Sequence, residues 1–502
     1  MIRLTWMSNN EEISMYGVSD DIITAYRTDG IHKEWRVVIN GNSYDNSQIV
    51  DDSLSLKQSF LESEDFEAIG CNASCFSVDL RTQFNTKVRG GKVQVYVRAG
   101  NTQELLIFTG TIDKCTKTAN GWNRHIEAYD ILYNLSGQSG QADENERKKY
   151  DVSDWFNNHS ACSISSLLAD LCSKFSISLR TGNLPLANGS LTTNCGANHN
   201  VTNMSALDLF KFIMQINGCF GYITGDGYFS WKYLVTPAPV NAGWLYPSQF
   251  INPTNDIYPG YDDSTDPDPE DATNFIGEYE SLEYQDFQML PINIVKVQNH
   301  AKDENAGSAG SGTNTYIIQG NPLTHTSSKA DKDSAASNIL SRFNGVSYVP
   351  FNASLQGLPY LECGDEVNFW DFIGDYGRAS VQQFFILSRT LSNGQHMVDN
   401  YAADGNEYKH EFVTGSEDNT NVEEAIEEAL EDYPNREEVE EMIEQGGGGT
   451  TGIANIVSIS PTDVPSNPDP LTLYAIQGEC RLVEDIDFND SSDEDEGEGD
   501  TP

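Results

Sequence analysis

The chain has 502 residues, with 76 acidic and 30 basic side chains and a formal charge of −46. A surplus of that sign repels nucleic-acid phosphates, and no basic patch offsets it, which excludes a DNA- or RNA-coating role. With 38% hydrophobic and 10% aromatic residues the chain can still bury sizeable cores, and its length suggests roughly three or four domains.

Residues 1–149 read as an N-terminal β-domain. Lys92-Val-Gln-Val-Tyr-Val-Arg98 alternates polar with apolar side chains, the period of a half-buried strand, between the turn residues Gly90-Gly91 and Gly100-Asn101. Leu105–Thr109 and His125–Tyr129 continue the pattern, with Asn120-Gly121 as a hairpin turn. The charged run Asp143–Lys149 marks a boundary.

Residues 150–236 change period. Leu167, Leu168, Leu171 and Phe175 share one helical face, and Leu207, Phe210 and Met214 form a second helix, capped by Asn203 or Thr202 and stopped by Gly218. Two strands flank Gly225-Asp226-Gly227, which makes this an inserted α+β module. Residues 237–275 are proline-rich loop and could in part complete the first domain. Together with the β-patterned stretch up to 413 they form a second β-rich region, interrupted by a helix over Ala335–Phe343.

Residues 414–445 read as a short helical trimerisation segment. Val422, Ile426, Ala429 and Tyr433 step by four, three and four, Pro434 interrupts them, and Val439, Met442 and Ile443 continue the apolar seam. Two heptads are too few to fold alone, so the seam either has partners or is a solvated acidic helix. Gly446–Gly449 is a hinge, 446–484 holds a small strand-containing segment, and 485–502 reads as a disordered acidic tail. Between 411 and 502 stand 27 acidic and 2 basic residues, a balance of −25, which leaves −21 for the first 410.

The nine cysteines form no compact framework and read as reduced, small core residues. The N-terminus lacks the apolar core of a secretory signal, and the most apolar stretch, Leu207–Ile223, is broken by Asp208, Lys211, Gln215 and Asn217, so no membrane anchor is expected. Cys71-Asn-Ala-Ser-Cys75 has metal-like spacing without a completing pair and reads as two cysteines on one strand face. No histidine stands four residues from another, and His125 and His199 read as surface residues or satisfied core residues rather than bases. The acidic loop Asp262–Asp271 lacks the glycine of a helix–loop–helix calcium loop; a solvated loop is the simpler reading, a cation site the other. Gly307-Ser-Ala-Gly-Ser-Gly312 has no following Lys-Ser or Lys-Thr, so it is not a phosphate loop. No catalytic, cofactor or metal-ligating constellation is selected, and no enzyme is expected.

Several stretches in order resemble the tail hub proteins of tailed bacteriophages, including the hub-like N-terminal region of tail-associated proteins. They are Ile69–Leu80, Gly91–Val97, Phe108-Thr-Gly-Thr-Ile112 and Ile126–Tyr133; then Ser205–Phe210, Gly218–Ile223 and Asp226–Phe229; then Gly320–Leu323, Tyr348-Val-Pro350, Gly357–Asp365 and Phe385–Leu391. The match spans residues 40–410. It implies a predominantly β, α+β chain with tail-tube-like β-domains around an inserted module. It also implies a homotrimer that presents a pseudo-sixfold ring to a hexameric tail tube or distal tail protein. Such a trimer joins the tube to a tail tip or baseplate, in a virion assembled in the bacterial cytoplasm. Tape-measure protein and DNA would pass through it without specific binding, along an acidic wall that DNA does not adhere to. The seam then gains partners through high effective concentration, and 446–484 could dock a tip or fibre protein.

Two other readings compete. A tail-associated cell-wall-degrading protein would need a lytic domain, and only 57 residues follow 445, the last 18 of them the acidic tail. A host-surface glycan-binding module could draw on seven tryptophans and 23 tyrosines, although buried aromatics explain most of these.

Overall fold

The computed structural model describes residues 18–28, 30–60, 70–84, 87–117, 122–137, 148–195, 201–234, 275–276, 279–343, 346–373, 378–393, 396–407, 410–414, 455–459 and 472–476. The seam residues Val422, Ile426, Ala429, Tyr433, Val439, Met442 and Ile443 lie outside them, as do Asn120-Gly121, His199, the loop Asp262–Asp271 and the acidic tail. The chain divides into two compact units, Met1–Asn421 and Val422–Pro502.

The first unit opens with helix α1 (Asp20–Arg27) and seven strands: β1 (Lys33–Ile39), β2 (Asn42–Asp45), β3 (Ser55–Ser59), β4 (Cys75–Leu80), β5 (Lys92–Ala99), β6 (Leu105–Lys117) and β7 (Arg124–Tyr129). There follow α2 (Ile131–Leu135), α3 (Ser153–Asn157), β8 (Cys162–Ser163), α4 (Ile164–Lys174), β9 (Thr192–Thr193), α5 (Ala206–Gln215), β10 (Phe220–Ile223) and β11 (Phe229–Lys232). The last part holds β12 (Phe275–Ile276), β13 (Ser281–Tyr284), β14 (Ile294–Gln298), β15 (Gly307–Gly310), β16 (Thr315–Gln319), α6 (Lys329–Phe343), β17 (Phe351–Gln356), β18 (Glu366–Ile373), β19 (Arg378–Phe385), β20 (Ser388–Asn393), β21 (Met397–Ala403) and β22 (Glu411–Thr414). In the second unit β23 (Asn455–Ile459) and β24 (Thr472–Ile476) pair in parallel. The fold is α+β and predominantly β.

Eleven strands form one sheet in the order β13-β17-β21-β20-β3-β4-β7-β6-β5-β1-β2. Four of them come from the part of the chain after the helical module and seven from before it, and the two blocks meet where β20 pairs antiparallel with β3, Leu391 opposite Leu56. Period-two alternation places Trp35, Val37 and Ile39 of β1, Phe76, Val78 and Leu80 of β4, and Val93, Val95 and Val97 of β5 in the core. Each such side chain contributes about 1.5–3 kcal/mol relative to leaving it in water. The alternation read over Lys92–Arg98 is therefore β5. The run at Leu105–Thr109 is the start of a longer strand that passes a register shift between Ile112 and Lys114.

Three local expectations differ from the structure. Helix α5 is capped by Ser205, not Asn203 or Thr202: Ser205 and Asp208 satisfy each other's backbone N–H at 2.9 and 3.1 Å, a reciprocal box that a single upstream side chain cannot equal. Gly218 follows the end of that helix at φ 66°, as its lack of a Cβ permits. Helix α6 begins at Lys329, six residues before the apolar pattern does, because Ser328 and Asp331 bond reciprocally across its first turn. Helix α1 was not foreseen among β-patterned residues, and it buries Ile22, Ala25 and Tyr26.

A second sheet, β15-β14-β16-β22, packs against α6. A side chain at Gly307 would collide with the α6 backbone at Lys332 and Asp333, and one at Gly310 with the Asn293 carbonyl. The glycine-rich run read as a failed phosphate loop is thus a strand flattened against a helix. Lys332, buried in that contact, donates to Asp303 at 2.8 Å and Asn299 at 2.9 Å.

Candidate functional site

Several of the segments that carry the family resemblance form joints within the large sheet or between it and the module. In Phe108-Thr-Gly110 the glycine lies where a side chain would strike both the Tyr129 carbonyl and the Phe108 ring. In Ala128-Tyr129-Asp130 the carboxylate is buried. It accepts from Ser74 N at 2.7 Å and Leu132 N at 2.9 Å, which ends β7, starts α2 and fixes the segment before β4. Burial pushes this carboxyl up to about 7, against the backbone N–H groups that favour its charge.

Module and sheet meet through Phe60, just past β3, whose ring stacks on Phe220 of β10 at 4.6 Å. Cys71 bridges to Gly221 of β10, where any side chain would clash with Met214 and Phe229. Cys71 therefore precedes β4 and belongs to the module contact, while Cys75 lies in the strand. The expectation of two cysteines on one strand face is corrected, since a four-residue spacing across the start of a strand separates them.

Gly357–Asp365 is the most polar of these joints. Lys232, the last residue of β11, is partly buried and donates to Asp365 Oδ1 at 2.8 Å and the Cys363 carbonyl at 3.2 Å, with Glu362 Oε2 at 3.0 Å. Burial works against the Lys232 charge, but the two carboxylates outweigh it and hold the ammonium well above its ordinary range. Tyr222 of β10 donates to the same Glu362 at 3.2 Å. From the sheet, Arg389 of β20 donates to Asp399 of β21 at 2.9 and 2.6 Å, to the Leu358 carbonyl at 3.1 Å and to the Leu361 carbonyl. Tyr401 completes the Asp399 shell at 2.9 Å. One loop is thereby held by a cation from the module and another from the sheet.

A cleft of ≈ 690 Å³ lies between the α1–β1 connection and the β20–β21 turn, lined by Ile31, His32, Trp35, Tyr279, Glu280 and His396 among others. Among the described residues its lining holds no serine, threonine or cysteine, and its His396–Glu280 pair is half exposed on both sides. His125 bonds Asp79 through Nδ1 at 2.7 Å, the satisfied surface residue expected. The structure also brings His159, Cys162 and Cys195 together, a group the sequence reading did not single out. The signal was the spacing His159-Ser-Ala-Cys162; Cys195 is brought in only by folding.

No family model matches the chain, and no curated protein matches it. Solved structures do. The 43 kDa tail protein of prophage MuSo2 from Shewanella oneidensis has 9% identity and a TM-score of 0.43, over 74% of this chain and 98% of that one. A tail protein from Neisseria meningitidis MC58 has 11% identity and a TM-score of 0.41, over 74% and 97%. A prophage tail protein from Listeria monocytogenes EGD-e has 9% identity and a TM-score of 0.39, over 75% and 95%. All three are described as tail proteins, two of them of prophages. Among the described residues no helix is long and apolar enough to cross a membrane.

Proposed function

We propose that this chain is a structural hub protein of a bacteriophage tail. Three copies form a ring that joins the hexameric tube, or a distal tail protein, to the tail tip or baseplate, and line the path of tape-measure protein and DNA. The observation that supports this best is the eleven-stranded sheet. A seven-strand block and a four-strand block meet at β3–β20, and this gives each chain the two β-blocks that a threefold ring needs to face a sixfold tube. Joints made of buried ion pairs and close-fitting glycines suit a scaffold that transmits force rather than one that turns over substrate. The protein is not an enzyme in this reading, and DNA passes along an acidic wall without specific binding.

Residues 414–445 add a trimerisation seam, and 446–484 a docking point for a tip or fibre protein. Sedimentation equilibrium of the full chain is the direct test. Three times the 55.6 kDa chain mass is expected, and a 1–413 truncation should remain trimeric but melt lower. A monomer at tens of micromolar, or equal melting of the two forms, counts against the ring or against the seam respectively.

A further inference from the structure

We propose that His159, Cys162 and Cys195 bind a structural zinc ion, or another borderline-soft divalent metal, that pins the α3–β8 turn to the end of β9. One ligand atom from each of the three lies within 4.8 Å of the other two. Cys162 Sγ stands 3.7 Å from His159 Nδ1. Two ligands on a tetrahedral zinc, with Zn–S near 2.3 Å and Zn–N near 2.05 Å, stand about 3.6 Å apart, so this pair is already at ligand spacing.

The backbone explains how the third ligand arrives. β8 and β9 pair antiparallel with Cys162 opposite Thr193, and Cys195 follows two residues on, diagonally across the short ladder. The ladder is prolonged by Ile164 N to Leu191 O at 3.0 Å and Ser165 N to Gly189 O at 3.0 Å, which fixes its register.

Three features surround the trio as they surround a built metal site. His159 Nε2 faces Asp170 Oδ2 at 3.3 Å, so its other nitrogen is the one directed at the sulfur; a carboxylate behind a ligating histidine orients the ring and raises its basicity. Thr193 is buried, its hydroxyl has no partner among the described residues, and it lies beside the Cys195 sulfur, where it can donate to a thiolate. Trp155 meets the His159 ring edge-on at 4.7 Å and closes one side. His159 Nδ1 also stands 2.9 Å from the Ser160 carbonyl, a contact the metal would replace as it displaces the Nδ1 proton. Two thiolates with one imidazole select zinc over magnesium or calcium, and the fourth corner is left to water or a further side chain. His199 follows Cys195 by four positions in the sequence, lies outside the described residues, and is not part of the assignment.

The test uses the full chain expressed with reduced thiols, titrated with cobalt(II) and separately assayed for zinc by elemental analysis. About one metal per chain is expected. Cobalt should show a thiolate charge-transfer band and the intense d–d bands of a tetrahedral site, which zinc then abolishes. Cys162→Ser and Cys195→Ser should each lose most of the charge-transfer intensity, and Cys115→Ser, outside the group, should keep it. The wild-type titration needs no variant to fold. Absence of the charge-transfer band in wild type would overturn the proposal. So would a Cys162–Cys195 disulfide in protein purified without oxidant.

Discussion

Two cations, Arg389 buried and Lys232 partly so, hold the same loop, and they differ in what they join. Arg389 and Asp399 stand on neighbouring antiparallel strands, β20 and β21, ten residues apart. Lys232 reaches from the module to Glu362 and Asp365, 130 and 133 residues on. The first pair ties neighbouring strands of the sheet to the loop; the second ties the module to the same loop. The chemistry follows the task. A guanidinium spreads its donors over a carboxylate of one strand and two carbonyls of one loop. An ammonium is a compact charge on a flexible stem that tolerates small adjustments between two packed bodies.

The comparison breaks or sharpens under substitution. Arg389→Met leaves Asp399 buried beside the Leu358 and Leu361 carbonyls with no cation, at a cost of about 3–5 kcal/mol, and should give misfolded or insoluble chain. Lys232→Met should cost less globally, because this site is less deeply buried than the Arg389–Asp399 pair and one of its two acids can take up a proton. Burial and the neighbouring Glu362 charge already raise Asp365, against the pull of Lys232. Its signature is local: denaturant unfolding splits into two steps, and limited proteolysis releases the module while the sheet persists. Equal, single-step losses for both variants would mean that the two cations do the same job.

A smaller effect concerns Asp130. Its folded carboxyl is raised to about 7 by burial, above the ordinary 3.8. The stability it contributes is therefore complete below about pH 4 and lost as pH rises through about 7. Asp130→Asn cannot titrate, so its penalty relative to wild type should shrink from about pH 4 to about pH 8 in urea melts. A penalty that grows over that range would mean that the carboxylate form is the better cap.

Much of this was legible in the sequence where the signal is local. The β5 alternation, the glycine turn between β10 and β11, and the apolar faces of α4 and α5 each fall within a few residues of where the pattern placed them. The start of α6 was missed because a helix's first turn is exposed and polar, so capping chemistry at Ser328 and Asp331 marks it and apolar period does not. The joining of two β-regions into one sheet was not legible, since β3–β20 pairing depends on residues more than 300 apart and leaves no local trace. The same holds for the His159, Cys162 and Cys195 group: half of its spacing is local, and the other half exists only once β8 pairs with β9.

Imaging tests the central claim most directly. Cryo-electron microscopy of the host particle's isolated tails, labelled with antibody against this chain, should place it as a threefold ring at the end of the tube. Label along the tube, on the capsid, or as a sixfold ring would contradict the assignment.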